Sequence, residues 1–110
     1  MVQDRIRQRY LRDSLPIRLG GLAADLARIA SCADDPRDRN ALLTLLEEGK
    51  YFAEWAAPDA PLHVQETLAQ VQIQLARWQH RQLVGKAEPA LRSEAQQWSE
   101  QLLSLSGLNR

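Results

Sequence analysis

Apolar residues recur along this chain with the three- and four-residue spacing of α-helices. After Ser14, the apolar positions follow steps of four and three residues: Leu15, Leu19, Leu22, Leu26, Ile29 and Ala33. Three later segments, at about 36–56, 61–84 and 89–106, repeat this pattern. Strand signals are missing from the sequence, because β-branched and aromatic residues are scattered singly. The pattern therefore predicts four long helices, preceded by a short helix at about 3–13.

Proline and glycine mark where these helices begin and end. Pro16, Pro36 and Pro61 open periodic segments, where the missing backbone N–H removes no helical hydrogen bond. Asp35 is the expected N-cap before Pro36, and Gly107 suits the left-handed position that follows a helix. Links of only a few residues make consecutive long helices antiparallel neighbours. We therefore expect an all-α fold, an up-down-up-down four-helix bundle with an additional short N-terminal helix.

A chain of 110 residues is long enough for one hydrophobic core and short enough for one domain. We expect a single helical domain over residues 1–110, with a basic N-terminal helix or arm at 1–14 and the four-helix bundle at 15–108. A lone Cys32 forms no internal disulfide, and no apolar leader or spanning segment is visible. The sequence therefore favours a soluble cytoplasmic protein without a membrane partner.

One predicted helix carries more apolar surface than a bundle requires. Besides its inward stripe, helix 61–84 has a second stripe, rotated by about 200° around the axis, which consists of Leu62, Ala69, Ile73, Ala76 and Leu83. Glutamine and arginine rim this second stripe, as polar residues rim the apolar centre of an interface. Three coverings are open: a second copy, another protein, or the leading helix with Val2, Ile6 and Tyr10. The second stripe is therefore the predicted partner interface, for a protein partner or a homodimer.

The 14 basic and 14 acidic residues balance overall but not locally. Residues 1–18 carry five arginines against two aspartates, whereas residues 34–66 carry eight acidic residues against three basic ones. A net charge of zero argues against a protein whose main task is to coat nucleic acid or an anionic membrane. The basic start either docks on the acidic middle of the chain or meets a phosphate-rich partner.

Three arginines support the interpretation that the basic start meets a phosphate-rich partner. Arg5, Arg9 and Arg12 follow one helix face at i, i+4 and i+7, with Tyr10 nearby, a geometry that could hold phosphates. The sequence offers no base-reading or base-stacking array beside them. Binding of nucleic acid or another polyanion through this arm is therefore the alternative function, of a small regulator.

No catalytic, cofactor-binding or metal site is predicted. Carboxylate metal sites in helical bundles use a Glu-x-x-His pair, and the near match at 63–66 is reversed. One cysteine and two histidines also lack the paired spacing of zinc ligands. Glu47, Glu48 and Glu54 are interpreted as surface residues, with Glu47–Tyr51 and Lys50–Glu54 as ordinary i,i+4 pairs, and His80 as a plain helix-surface residue. We therefore expect a protein that is not an enzyme and needs no cofactor or metal.

Four short stretches carry a family resemblance. They are LGGLAADLARI at 19–29, FAEWAAPD at 52–59, LARW at 75–78, and Trp98 with the closing SGL at 106–108. Together they resemble a family of small, uncharacterised all-helical proteins associated with cyanobacteria, over most of the chain. The resemblance implies a cytoplasmic setting and supplies no activity, cofactor or functional residue. The leading hypothesis is accordingly a non-enzymatic helical interaction module, for protein–protein contact or self-association, with the arginine arm assisting.

Overall fold

The computed structural model describes residues 2–108, with the side chains from Gln3 to Leu108, and confirms the all-α fold. The five α-helices of this part of the chain are α1 (Val2–Arg12), α2 (Leu15–Cys32), α3 (Arg39–Ala56), α4 (Leu62–Leu83) and α5 (Leu91–Ser106). Short 3₁₀ helices at Pro36–Asp38 and Ala57–Asp59 precede and follow α3. The α3 helix begins three residues later than predicted, because the turn after Asp35 is 3₁₀ rather than α.

Asp35 and Gly107 lie at a helix start and a helix end as predicted, and Gly85 ends a further helix. Asp35 accepts a hydrogen bond from the backbone N–H of Arg37 at 2.9 Å, which satisfies an otherwise unpaired donor at the helix start. Gly85 and Gly107 have φ of 72° and 75°, the left-handed conformation that side chains disfavour. They follow the ends of α4 and α5, so each glycine allows the chain to leave its helix.

The four long helices alternate in direction. An ion pair joins Asp34, after the end of α2, to Arg92 at the start of α5. A second pair joins Arg18, near the start of α2, to Asp59, after the end of α3. The α2 helix packs on both α3 and α5, and α4 packs on α3 while touching α5 only slightly. This is the predicted up-down-up-down bundle. It measures 35 × 34 × 21 Å, a flat shape that agrees with the small contact area between α4 and α5.

The predicted inward stripes form the core. Its fully buried large side chains come from all four long helices and include Leu22, Leu26, Ile29, Leu46, Leu68, Leu75, Trp78 and Leu102. Each such leucine or isoleucine contributes roughly 1.5–3 kcal/mol by leaving water. Gly49 permits the close approach of α3 and α4, since a Cβ there would lie 3.1 Å from Cδ1 of Leu75. The inward side of α4 is therefore buried by contacts within the bundle.

Aromatic contacts fasten α1 to α3. The ring of Tyr10 stacks on Phe52 with centroids 4.1 Å apart and an interplanar angle of 3°, and it lies 6.2 Å from Trp55. The Tyr10 hydroxyl donates a hydrogen bond to the backbone carbonyl of Arg18 at 2.8 Å. At the other end of α1, Gln3 donates to the Tyr51 hydroxyl at 2.8 Å. The basic start thus docks on the acidic helix, and an aromatic cluster holds it there.

Among the described residues, no helix is long and apolar enough to cross a membrane.

Candidate interaction surface

The second stripe of α4 lies on the exposed side of the bundle. Its members, Leu62, Ala69, Ile73, Ala76 and Leu83, are all exposed, and we call them the outer face of α4. Leu62 is 71 % exposed and Ile73 is 61 % exposed, values well above those of a core side chain. The opposite side of the same helix is buried from Val64 to Trp78. One apolar side of α4 therefore packs in the core, and a second apolar side is exposed to solvent.

The leading helix does not cover this outer face. Tyr10 packs among the aromatic residues of α3, and Ile6 lines clefts between α1 and α3. The side chain of Val2 lies outside the described residues. The interpretation that Ile6 and Tyr10 cover the second stripe is therefore wrong, because the aromatic cluster holds α1 against α3 instead.

Sequence reasoning missed one member of this surface. Val84, the residue that caps α4, is 50 % exposed. It follows Ile73 by eleven residues, or about three helical turns, so it lies nearly in line with Ile73, whereas Leu83 lies at the edge of the outer face. The eleven-residue spacing from Ile73 could have identified Val84 from the sequence.

Charged residues lie among the apolar residues of this surface. Glu66, Arg77 and His80 are exposed on the same side of α4, and their side chains form no ion pair or hydrogen bond within residues 2–108. A shallow groove of about 500 Å³ beside Ile73 and Ala76 is lined by the basic residues Arg77, His80, Arg81 and Lys86. Of these, Arg81 is held by Glu88 at 2.7 Å. The carboxyl-terminal half of the surface is therefore basic, and its amino-terminal half carries an acid.

The arginines of α1 are also exposed. Arg5, Arg9 and Arg12 project from one flank of the docked helix, and none of them forms an ion pair in the part of the chain that the structure describes. Their expected companion Tyr10 is only 6 % exposed. Its assignment to the polyanion-binding arm is therefore wrong, because the ring is stacked on Phe52 and the hydroxyl is bonded to the backbone. Burial raises the pKa of Tyr10 well above its ordinary value.

A pair of carboxyl groups inside the bundle was not predicted. Asp25 on α2 is 1 % exposed, and its neighbour across the helix interface is the half-buried Glu48 of α3. Burial, reinforced by the charge of Glu48 and a hydrogen bond with it, raises the pKa of Asp25 from 3.8 to about 8, against the opposing effect of Arg28. The Oδ1 atom accepts from Arg28 at 3.1 Å, whereas Oδ2 has no donor within the described residues. The raised pKa favours the protonated form of the Asp25 carboxyl near neutral pH.

This pair corrects one interpretation and supplies a missed residue. Glu48 is a half-buried neighbour of Asp25 rather than a surface carboxylate. Asp25 lies three residues after Leu22 and four before Ile29, inside the apolar stripe of α2. An acid at such a position was the signal in the sequence. Asp25 is buried and lines none of the larger cavities, whereas Glu48 lines the clefts beside α1.

A cleft of about 410 Å³ separates α1 from α3 and α4, but most of its polar groups bind one another. Glu47 lies 3.3 Å from Lys50, and Lys50 donates to the Gln79 side chain at 2.6 Å. The Gln79 amide donates in turn to Glu47, and this hydrogen bond, together with Lys50, lowers the pKa of Glu47. The remaining walls are mostly apolar. Among the described residues, Glu47, Tyr51 and Gln79 are therefore already paired, which leaves Glu48 as the charged group of the cleft without an ion pair.

Metal ligands and the thiol of Cys32 are the remaining candidates for chemistry. No group of three or more His, Cys, Asp or Glu residues within the described range could hold a metal ion. Cys32 is a free, half-buried thiol, and burial together with the charge of Asp38 raises its pKa. A raised pKa reduces the thiolate fraction that reacts as a nucleophile.

Comparison with known proteins gives no relative: no protein family, curated protein or solved structure matches this chain. The resemblance to small cyanobacterial helical proteins stays a prediction.

Proposed function

We propose that this chain is a non-enzymatic interaction module that binds another protein or a second copy of itself through the outer face of α4. One observation carries the proposal: Leu62 and Ile73 are 71 % and 61 % exposed on a helix whose other side already forms the core. Covering a side chain such as Ile73 would contribute roughly 1.5–3 kcal/mol. A partner that covers the outer face would therefore gain binding energy without any change in the bundle.

The alignment of these residues distinguishes them from ordinary surface apolar groups. Single exposed leucines or isoleucines are common and need no partner. Here the exposed apolar groups follow one side of a 22-residue helix, over a length of about 33 Å. Polar side chains border them, as at the rim of a protein interface. We also propose a cytoplasmic setting, in line with the single free cysteine.

A photo-activated cross-linking residue placed at Ile73 is expected to capture the partner. The matched control is the same residue at Ile17, an isoleucine of α2 that is 51 % exposed. We expect a discrete cross-linked product from position 73, in purified protein or in cells, and none from position 17. Equal labelling at the two positions, or no product from position 73, would contradict the proposed function.

The exposed arginines support a second candidate function, the binding of a polyanion. Arg5, Arg9 and Arg12 form no ion pair with the residues that the structure describes, and they lie on a helix that is anchored to the bundle. If each contacts one phosphate, replacing all three by alanine should weaken binding to labelled DNA or RNA and reduce its salt dependence by about three counterions. Fluorescence anisotropy at low and moderate salt measures both effects. Arg37→Ala is the control, since Arg37 is exposed but paired with Asp35 at 2.9 Å; absence of binding at low salt would exclude this candidate.

A further inference from the structure

We propose that the occupant of the outer face of α4 is a second copy of this chain, bound antiparallel across a two-fold axis at Ile73. This inference rests on the proposed function of the same face. A two-fold axis makes an interface self-complementary, so each residue meets the one equally far along the helix on the other side of the axis. On the outer side of α4, residues equally far from Ile73 are complementary to one another.

Counting from Ile73 in both directions gives matching pairs. Glu66 lies seven residues before Ile73 and His80 seven residues after it. Leu62 lies eleven residues before and Val84 eleven residues after. Seven and eleven residues are close to two and three helical turns, so all of these residues share one side of α4. Across the axis, Ile73 meets Ile73, Leu62 meets Val84, and Glu66 meets His80.

The polar groups on this side of α4 are complementary in the antiparallel arrangement, where a histidine N–H can donate to a carboxylate, and not in the parallel one. Antiparallel packing sets Glu66 against His80 of the other copy twice, and Arg77, which forms no ion pair with the described residues, lies beside each pair. Parallel packing in register sets Glu66 on Glu66 and His80 on His80. Within one copy Glu66 and His80 are 14 residues apart, or about 21 Å, too far to pair. Only a second chain can bring these groups together.

Side-chain size and interface area agree with the same arrangement. Ala69 and Ala76 stand beside Ile73, and their small side chains leave room for the isoleucine of the other copy. A helix of about 33 Å paired along one side buries on the order of 1,000 Å² in total, the lower end for a specific complex. Opposed helix dipoles add a small favourable contribution. We therefore expect a dimer of micromolar affinity.

Charge reversal tests the pairing of Glu66 with His80. Glu66→Lys sets lysine against His80 and Arg77, and His80→Glu sets glutamate against Glu66, so each single variant should dimerise about tenfold more weakly. An equal mixture of the two variants restores both complementary pairs and should recover the original affinity as a heterodimer. Sedimentation over a concentration series measures the dissociation constants, and circular dichroism checks the fold. Unchanged affinity in the single variants, or no recovery in the mixture, would overturn the inference.

Cysteine cross-linking fixes the register, with Cys32→Ser as the background. Ile73→Cys should form a disulfide-linked dimer on mild oxidation, and Glu66→Cys should cross-link with His80→Cys but not with itself. A 66–66 product would show a parallel dimer and overturn the proposed axis. If the purified protein stays monomeric while the cross-linker at position 73 captures a different protein, the homodimer is excluded and the interaction module stands. If position 73 captures nothing, both proposals fail.

Discussion

Replacing Asp25 by asparagine is expected to stabilise the protein progressively as the pH rises, by several kcal/mol above about pH 8, and to change little below about pH 4. Asparagine has nearly the shape of aspartic acid, and its amide can donate to Glu48 while its oxygen accepts from Arg28. It carries no proton to lose. The variant therefore keeps the contacts of the protonated carboxyl at every pH and removes the cost of a buried negative charge.

The direction of this effect follows from the two states of the chain. Burial and Glu48 raise the pKa of Asp25 from 3.8 to about 8 in the folded protein. Between these values the folded state holds a proton that the unfolded state has released, so the wild type loses stability as the pH rises, by at most about 1.4 kcal/mol per pH unit. The stabilisation from the protonated Asp25 carboxyl is fully present below its ordinary pKa of 3.8, and it is lost once the pH passes about 8.

Urea unfolding over a pH series measures this prediction. Asp13→Asn is the matched control, because Asp13 is exposed in the link between α1 and α2. Glu48→Gln should also stabilise the alkaline protein, and the double variant should gain less than the sum, because both changes relieve the same carboxyl pair. Parallel pH curves for the wild type and the Asp25→Asn variant would show that Asp25 is ionised in the folded protein, contrary to the expected result.

Replacing Tyr10 by alanine is expected to lower the free energy of unfolding by about 3–5 kcal/mol. The ring lies between α1 and α3, 4.1 Å from the Phe52 centroid, and its hydroxyl bonds to the start of α2. Without it, α1 keeps few contacts with the bundle and should detach before the four long helices unfold. Hydrogen exchange should therefore show faster exchange in α1 than in α2 or α3.

Two variants separate the roles of this side chain. Tyr10→Phe keeps the stack and loses only the hydrogen bond, so we expect a loss of about 1 kcal/mol. Leu11→Ala changes the adjacent residue, which is 39 % exposed, and should cost less than about 1 kcal/mol. If Tyr10→Ala were no more destabilising than Leu11→Ala, the aromatic cluster would not be what anchors the arginine-bearing helix.

Tyr10 and Ile73 show how far sequence reasoning reaches on this protein. The spacing around Ile73 placed the second stripe on the side of α4 away from the core, and its five residues are exposed in the structure. The spacing of the arginines likewise placed them on one flank of α1. The spacing of residues in α1 could not show that Tyr10 turns inward, because the side on which α3 packs against α1 depends on tertiary contacts. Asp25 is a similar case, since its partner Glu48 is 23 residues away.

The sequence by itself determined the helices, their ends and their alternating directions. These features depend on local spacing, on capping residues and on short links, all of which act within a few residues of the chain. Only the tertiary structure decided that α1 rests on α3, that the outer face of α4 stays open, and that Asp25 is buried beside Glu48. Each of these depends on which distant side chains meet and which stay in water, and helical periodicity carries no information about either.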